Sequence, residues 1–383
     1  MKTIHIFGSG ISGASLARMF ADNDYEVFVY EKESFIGGNC YDYYDDSGVL
    51  IHKYGPHIFH TSYEDVYEFI NRFCKLNNFV NRVLVNVEDK LVPMPINFKS
   101  IELMFPKESK EIISVLQQQF KNEKTISLFD LEKIQNPNVK TFTKYIFDNV
   151  YANYTSKMWG ISVEEIDKNV INRVKITLGY EDSYFPLDKY QGLPTEGYTA
   201  LIKNILDHKN IKVELDASLS VLKIKDNKTY IKDKLVRDPI FYCGEIDKFF
   251  EYKHGMLPYR SLDIKFETIN KSSFQETAVV NYPADPIMTR IAEYKKMTLQ
   301  EIDGITTISR EYPNKYNPTS KIFDKPFYPI NNDLTKQIYD KYLQEISNIK
   351  NFKLLGRLAQ YKYYDMDDAI KNAIDIFNQF KFN

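Results

Sequence analysis

Residues 3–13 read TIHIFGSGISG, a short apolar run that stops at a glycine and is followed by two more. A run of that kind, closed by Gly8, matches a strand buried on both faces of a parallel sheet. Gly8, Gly10 and Gly13 spell G-x-G-x-x-G. In this pattern the first glycine makes the tight turn, the second lets the backbone approach a pyrophosphate, and the third admits close helix–strand contact. The next residues, ISGASLARMFADN, read as the helix, and EVFVYE as a second strand that ends on Glu31. Glu31 stands 23 residues after Gly8, where an acid accepts hydrogen bonds from a ribose. Glycine spacing alone is a weak signal. With strand, helix, second strand and terminal acid in order, the segment predicts an α/β, Rossmann-like dinucleotide site.

Six residues beyond Glu31, the run IGGN at 36–39 adds Gly37 and Gly38. A glycine pair at that place resembles the flavoprotein form of the fold, where it admits the diphosphate–ribityl part of FAD. The far end of the chain returns to the same pattern. FKLLGRLAQYKYYDMDDAIKNAIDIFNQF, 352–380, reads as strand, Gly-Arg turn, tyrosine cluster and helix. Ile370, Ala373, Ile374, Phe377 and Phe380 fall on one helical face. Asp365, Asp367 and Asp368 crowd the helix start, where acids suit the N-cap and the macrodipole. In FAD folds this returning helix end approaches the pyrimidine edge of the isoalloxazine, where it favours an anionic reduced ring.

Between these ends the pattern changes twice. Residues 62–76 read as an amphipathic helix opened by a Thr61-x-x-Glu64 capping box. Residues 99–172 are mostly helical, punctuated by Pro106 and Pro137, and include YIFDNVYANYTSKMWG with aromatics at helical spacing. Residues 210–242 and 259–330 read as short strands with turns. The predicted architecture is a discontinuous FAD-binding domain (1–77, 190–248 and 335–383) with two insertions. One is a helical domain over 99–172 with a mobile substrate loop near 164–182; the other is an antiparallel sheet over 78–98, 173–189 and 249–334.

A chain of 383 residues exceeds what one core usually holds, in keeping with several packed domains. A net charge of −2 draws it neither to nucleic acid nor to anionic membrane. Cys40, Cys74 and Cys243 are odd in number and form no CxxC, which argues against a zinc ribbon or a disulfide scaffold. No apolar run reaches the roughly 18 to 20 residues that span a bilayer. The first residues read as a strand rather than a secretory h-region, so the expected compartment is the cytoplasm. IHKYGPHIFHT, 51–61, holds His52, His57 and His60, three of the six histidines. Their spacing fits no usual zinc pattern, and no metal is expected.

GSGISG, IGGN, HKYGPHIFHT, MWG, KYQGLP, YRSLDIKFE, TRIAEYK, FYPIN and GRLAQYKYYDM occur in this order along residues 1 to about 375. In that order and with those residues the chain resembles the prokaryotic UDP-galactopyranose mutases. The resemblance implies a homodimeric FAD enzyme of cell-surface polysaccharide biosynthesis that interconverts UDP-galactopyranose and UDP-galactofuranose. Its reduced flavin N5 attacks the anomeric carbon, with no net redox, after priming by NAD(P)H or another reductant. Related substrates are UDP-N-acetylgalactosamine or a 6-deoxyhexose on another nucleotide. A flavin amine oxidase or desaturase shares only the N-terminal fingerprint.

Residue by residue, the resemblance implies FAD contacts at Gly8, Gly10, Ser12, Gly13, Glu31, Lys32, Gly37, Gly38, Asn39, His57, His60, Arg260, Arg357, Asp365 and Met366. It implies substrate contacts at Asn81, Tyr154, Trp159, Arg173, Tyr184, Arg290, Tyr328 and Tyr363. Arg173, on the mobile loop, and Arg290, fixed, would bind the diphosphate with Tyr328, Tyr363 and Asp365 beside them, and His57 would lie over the flavin. A planar guanidinium suits a diphosphate because it binds two oxygens at once. The chain departs from the family pattern at Pro56, Glu196, Met256–Pro258, Met288 and Tyr294, and lacks a second arginine in the loop after Arg173. These departures cluster around substrate segments and bear on the sugar more than on the reaction.

Overall fold

The computed structural model describes residues 2–160, 162 and 174–381. A five-stranded parallel sheet lies at one end, ordered Ile211–Glu214, Glu26–Tyr30, Thr3–Phe7, Ile240–Tyr242 and Phe352–Leu354. Its central strands bury apolar residues on both faces: Ile4, Ile6, Val27 and Val29 are inaccessible to solvent on one, and Phe7, Tyr30 and Tyr242 are buried on the other. The helix Ile11–Ala21 packs against the C-terminal helix Met366–Lys381. Phe20 sits edge-on between Phe377 and Phe380, with ring centroids 5.3 and 5.1 Å away. The two ends of the chain thus close one domain. All five strands come from 1–77, 190–248 and 335–383.

The second sheet has seven strands, ordered Tyr328–Pro329, Tyr259–Ile269, Thr306–Lys315, Arg290–Glu293, Val279–Asn281, Val83–Val87 and Lys90–Met94. It is not wholly antiparallel as expected, because Val279–Asn281 runs parallel to Val83–Val87. That pairing joins strands almost two hundred residues apart, which local alternation cannot reveal. Residues 174–189 also depart from expectation. Their strand Ile176–Thr177 pairs with Thr125–Ile126 of the helical region, and an isolated Arg82–Ser183 bridge reaches toward the sheet.

The helical region contains Phe98–Met104, Ser109–Gln119, Leu128–Glu132 and Pro137–Ile146. The π-helical turn Phe147–Ala152 then leads into the helix Asn153–Trp159. A π turn shifts the side chains that follow it around the axis, and such turns are frequent at functional sites. The capping box expected at Thr61 does not form. Thr61 is committed to a strand, Phe59–Thr61, paired with Tyr190–Gly192, and its hydroxyl accepts from the Tyr63 N–H at 3.0 Å. The helix starts at Glu64, whose carboxylate instead takes Lys189 and the Tyr190 hydroxyl, both at 2.8 Å, and it ends at Asn71.

Candidate active site

A cavity of about 430 Å³ opens between the sheets, with the glycine motifs at one end and Arg290 at the other. The glycine end is built from backbone. Gly8 has φ +121°, and a Cβ on it would stand 2.9 Å from the Cys243 Cβ. A Cβ on Gly13 would come within 2.0 Å of the Gly8 carbonyl oxygen, so helix and strand meet there only without a side chain. Gly10 forms an isolated bridge with Gly37, and a Cβ on Gly38 would lie 3.1 Å from the Gly10 Cα. The two glycine motifs therefore lie backbone to backbone. The N-cap, Gly10, has no side chain to engage the N-terminal amides of Ile11–Ala21, which suits them to an anion.

Glu31, at the end of its strand, is buried in the cavity wall. Its Oε2 accepts from the Ser9 N–H at 2.8 Å and the Ser9 hydroxyl at 2.7 Å, and its Oε1 from the Glu33 N–H at 3.0 Å. Ser9 sits inside the glycine motif, and a reading confined to the glycines passed over it. Ser12, Lys32, Asn39 and Met366 also line the cavity. Asp365 precedes the first turn of the Met366–Lys381 helix, and its backbone N–H meets the Asp368 carboxylate at 3.4 Å. Asp365 is also the acceptor for the Tyr363 hydroxyl at 3.1 Å.

The three histidines do different things. His57 lines the cavity, and its Nδ1–H donates to the Gly55 carbonyl at 2.7 Å, which leaves Nε2 as an acceptor. Burial first, then the neighbouring His52 and Arg357, push its pKa down to about 3. It is therefore a neutral imidazole at any ordinary pH. His52 is buried behind it, and its Nδ1 accepts from the His57 backbone N–H at 3.0 Å. His60 stacks on Phe185 at 3.6 Å and bonds the Asp188 carboxylate at 2.7 Å. Burial alone would lower its pKa, but Asp188 and the nearby Asp365 and Asp367 outweigh it and raise it. Among the described residues no group of three His, Cys, Asp or Glu side chains converges as a metal site.

At the other end Arg290 stands opposite Glu311 in strand register, and its Nε donates to the buried Glu311 carboxylate at 2.7 Å. Burial alone would lower the arginine's pKa, yet the Glu311 charge holds it well above its ordinary value. The pair also fixes the fork: with Nε committed, the terminal nitrogens remain for a ligand. Glu311 was not foreseen, because only the pairing of Arg290–Glu293 with Thr306–Lys315 makes it a neighbour. Tyr154, Tyr184, Tyr328 and Tyr363 line the same end. Tyr328 and Tyr363 stack at 5.9 Å, and Arg357 lies 5.5 Å over the Tyr328 ring. Asn81 lines the cavity with a buried Oδ1 that has no hydrogen-bond partner among the described residues.

Trp159 stands outside this cavity in an adjoining one of about 510 Å³, its ring 6.3 Å from Tyr328. The two cavities share a wall that includes Tyr154, Arg290 and Tyr328. Arg260, expected at the flavin, sits at a helix end. It lines neither cavity; its Nε donates to the Met158 carbonyl at 2.7 Å and a terminal nitrogen to that of Lys157 at 3.1 Å. It closes the C-terminus of the Asn153–Trp159 helix, where a cation meets free carbonyls and the negative end of the dipole. Arg173 lies outside the described residues.

Comparison with known proteins agrees with this geometry. The family model described as UDP-galactopyranose mutase matches residues 149–363, and one for an NAD(P)-binding Rossmann-like domain matches residues 6–73. The chain is 40% identical to the UDP-galactopyranose mutase of Mycoplasma genitalium, over 97% of this chain and 93% of that protein. It is 32% identical to the dTDP-fucopyranose mutase of Escherichia coli, over 98% and 97% of the two chains. A crystal structure of reduced UDP-galactopyranose mutase shares the fold with a TM-score of 0.69 at 14% identity, covering 100% of this chain and 94% of that one. Matched over more than half its length by the family model, and along nearly all of it by such relatives, this chain belongs to the UDP-galactopyranose mutase family, isomerases that interconvert pyranose and furanose sugars.

Proposed function

We propose that the cavity binds FAD at its glycine end and the diphosphate of UDP-galactose at its arginine end, and that the enzyme interconverts UDP-galactopyranose and UDP-galactofuranose. The fit to a dinucleotide rests on glycine-only packing at Gly8, Gly13 and Gly38, which brings bare backbone to the cavity wall, with a buried carboxylate, Glu31, at the strand end. Bound and reduced, FAD supplies a nucleophilic N5 for the anomeric carbon and loses no electrons over a turnover.

The chain's own residues do the rest. Glu31 accepts ribose hydroxyls, while the amides at the start of Ile11–Ala21 receive the pyrophosphate. Arg290, held by Glu311, offers its terminal nitrogens to the diphosphate and neutralises the charge that grows as that group leaves. Arg173 is the second guanidinium, closing from its loop. The hydroxyls of Tyr154, Tyr184, Tyr328 and Tyr363 hydrogen-bond the diphosphate or the sugar, and Asp365 orients Tyr363. The adjoining cavity with Trp159 takes the base. His57 presents an unprotonated Nε2 beside the flavin. A homodimer, a cytoplasmic location and NAD(P)H priming are part of the same proposal, supported by the resemblance to the family.

The observation that carries this reading is the Arg290–Glu311 pair on the wall between the two cavities, a fixed cation facing both. The test is chromatography of dithionite-reduced, flavin-loaded enzyme incubated separately with UDP-galactopyranose, UDP-N-acetylgalactosamine and dTDP-fucopyranose. Furanose from the first, and none from oxidised enzyme under air, is the expected result. Conversion of dTDP-fucopyranose alone would move the substrate to that of the Escherichia coli relative. Conversion of none of the three would overturn the reading.

A further inference from the structure

We infer that Lys157 holds Arg290 in register with the aromatic helix, a positioning role that rests on the reading of the cavity above. Lys157 lies on Asn153–Trp159, one turn after Tyr154 and two residues before Trp159. Its Nζ is surrounded by four backbone carbonyls: Tyr282 at 2.8 Å, Pro283 at 3.3 Å, Asp285 at 2.5 Å and Met288 at 2.6 Å. All four belong to the turn joining strands Val279–Asn281 and Arg290–Glu293. An ammonium has three N–H donors and no acceptor, so it suits a cage of oxygens. Without its charge the converging carbonyl dipoles would repel one another.

The turn itself is well tied. The Tyr282 N–H donates to the Thr289 carbonyl at 2.8 Å, and Asp285 Oδ1 accepts from the Ile287 and Met288 N–H groups at 2.9 and 2.7 Å. Its two arms carry Asn281 and Arg290, paired across the strands and both facing the cavity. The helix opposite carries Tyr154 and Trp159, and Arg260 pins its C-terminal carbonyls. One ammonium therefore joins the wall that holds the diphosphate arginine to the wall that holds the aromatics. Glu311 fixes Arg290 within its sheet; Lys157 fixes that sheet edge against the helix.

The experiment is a double-mutant cycle in flavin-loaded enzyme: Lys157→Met, Arg290→Ala and the pair, with UDP affinity by calorimetry, kcat, KM and melting temperature. Lys157→Met is expected to weaken UDP binding and lower kcat by roughly 10- to 100-fold, the cost of a misplacement of about 1 Å. Adding it to Arg290→Ala should cost little more, because its effect passes through the arginine. Lys157→Gln, which keeps two donors without the charge, guards against a misfolded methionine variant and should fall between it and wild type. Wild-type UDP affinity and kcat in Lys157→Gln, or fully additive losses in the double variant, would overturn the role. An Arg290→Ala enzyme that binds UDP like wild type would instead sink the reading of the cavity, and this role with it.

Discussion

At the glycine end of the cavity the working groups are backbone joined by one buried carboxylate, Glu31; at the arginine end they are side chains brought in from separate stretches of chain. The first end is compact in sequence: strand, turn, helix and second strand run from Thr3 to Glu31, and Gly10 meets Gly37 directly. The second is assembled across the helical region, the seven-stranded sheet and the C-terminal tyrosines. Backbone sites tolerate almost no added atom, since nothing can rotate away. Side-chain sites depend on what holds each group, so their partners matter as much as the groups themselves. The two ends should therefore fail in different ways.

The largest effect is expected from Gly13→Ala. A Cβ 2.0 Å from a carbonyl oxygen cannot be accommodated by a rotamer change. The cost should exceed about 3 kcal/mol, beyond ordinary overpacking, and abolish flavin retention. The flavin-to-protein absorbance ratio after gel filtration checks it, and a yellow Gly13→Ala protein with wild-type melting would break the comparison.

Next comes Arg290→Ala, which should lower turnover by roughly 100- to 1000-fold while flavin content stays unchanged. Arg290→Lys should recover only part of the loss, because a point charge cannot reproduce the fork. Single-turnover kinetics on reduced enzyme is the measurement.

Glu311→Gln sharpens the same point. The amide oxygen can still accept from Nε, so what is lost is the charge assistance, about 1 kcal/mol or roughly a factor of five in turnover. Wild-type kcat in this variant would mean that Arg290 needs no fixed partner.

The smallest effect concerns pH. The His60–Asp188 pair raises the histidine's pKa and lowers the aspartate's. The histidine's contribution is complete below its unfolded value of about 6.5 and is lost as pH rises through the higher folded one. The aspartate's is complete above its unfolded value of about 3.9 and is lost as pH falls through the lower folded one. The pair is thus strongest in the mildly acidic range between them. Asp188→Asn should reduce stability there by about 1 kcal/mol or less, given partial exposure, and by little near pH 9. Melting temperatures at the two pH values decide it.

Read from the sequence alone, the parallel sheet, the glycine turn, Glu31 and the C-terminal amphipathic helix were legible, because each is dictated over a few residues. Glycine conformation, strand hydrophobicity and helical period need no distant information. The ordered motifs also carried the family and most of the residues that line the cavity. What they could not carry was pairing between distant segments. The parallel join of Val279–Asn281 to Val83–Val87 depends on register between remote strands, and so does the placing of Glu311 beside Arg290. The motif around Arg260 does not foretell that its Nε and one terminal nitrogen donate to the carbonyls of Met158 and Lys157. Thr61 looked like a cap, yet strand pairing took its backbone first. Local geometry is written in the chain, whereas the partner that claims a buried charge is decided only when the sheets and helices close around it.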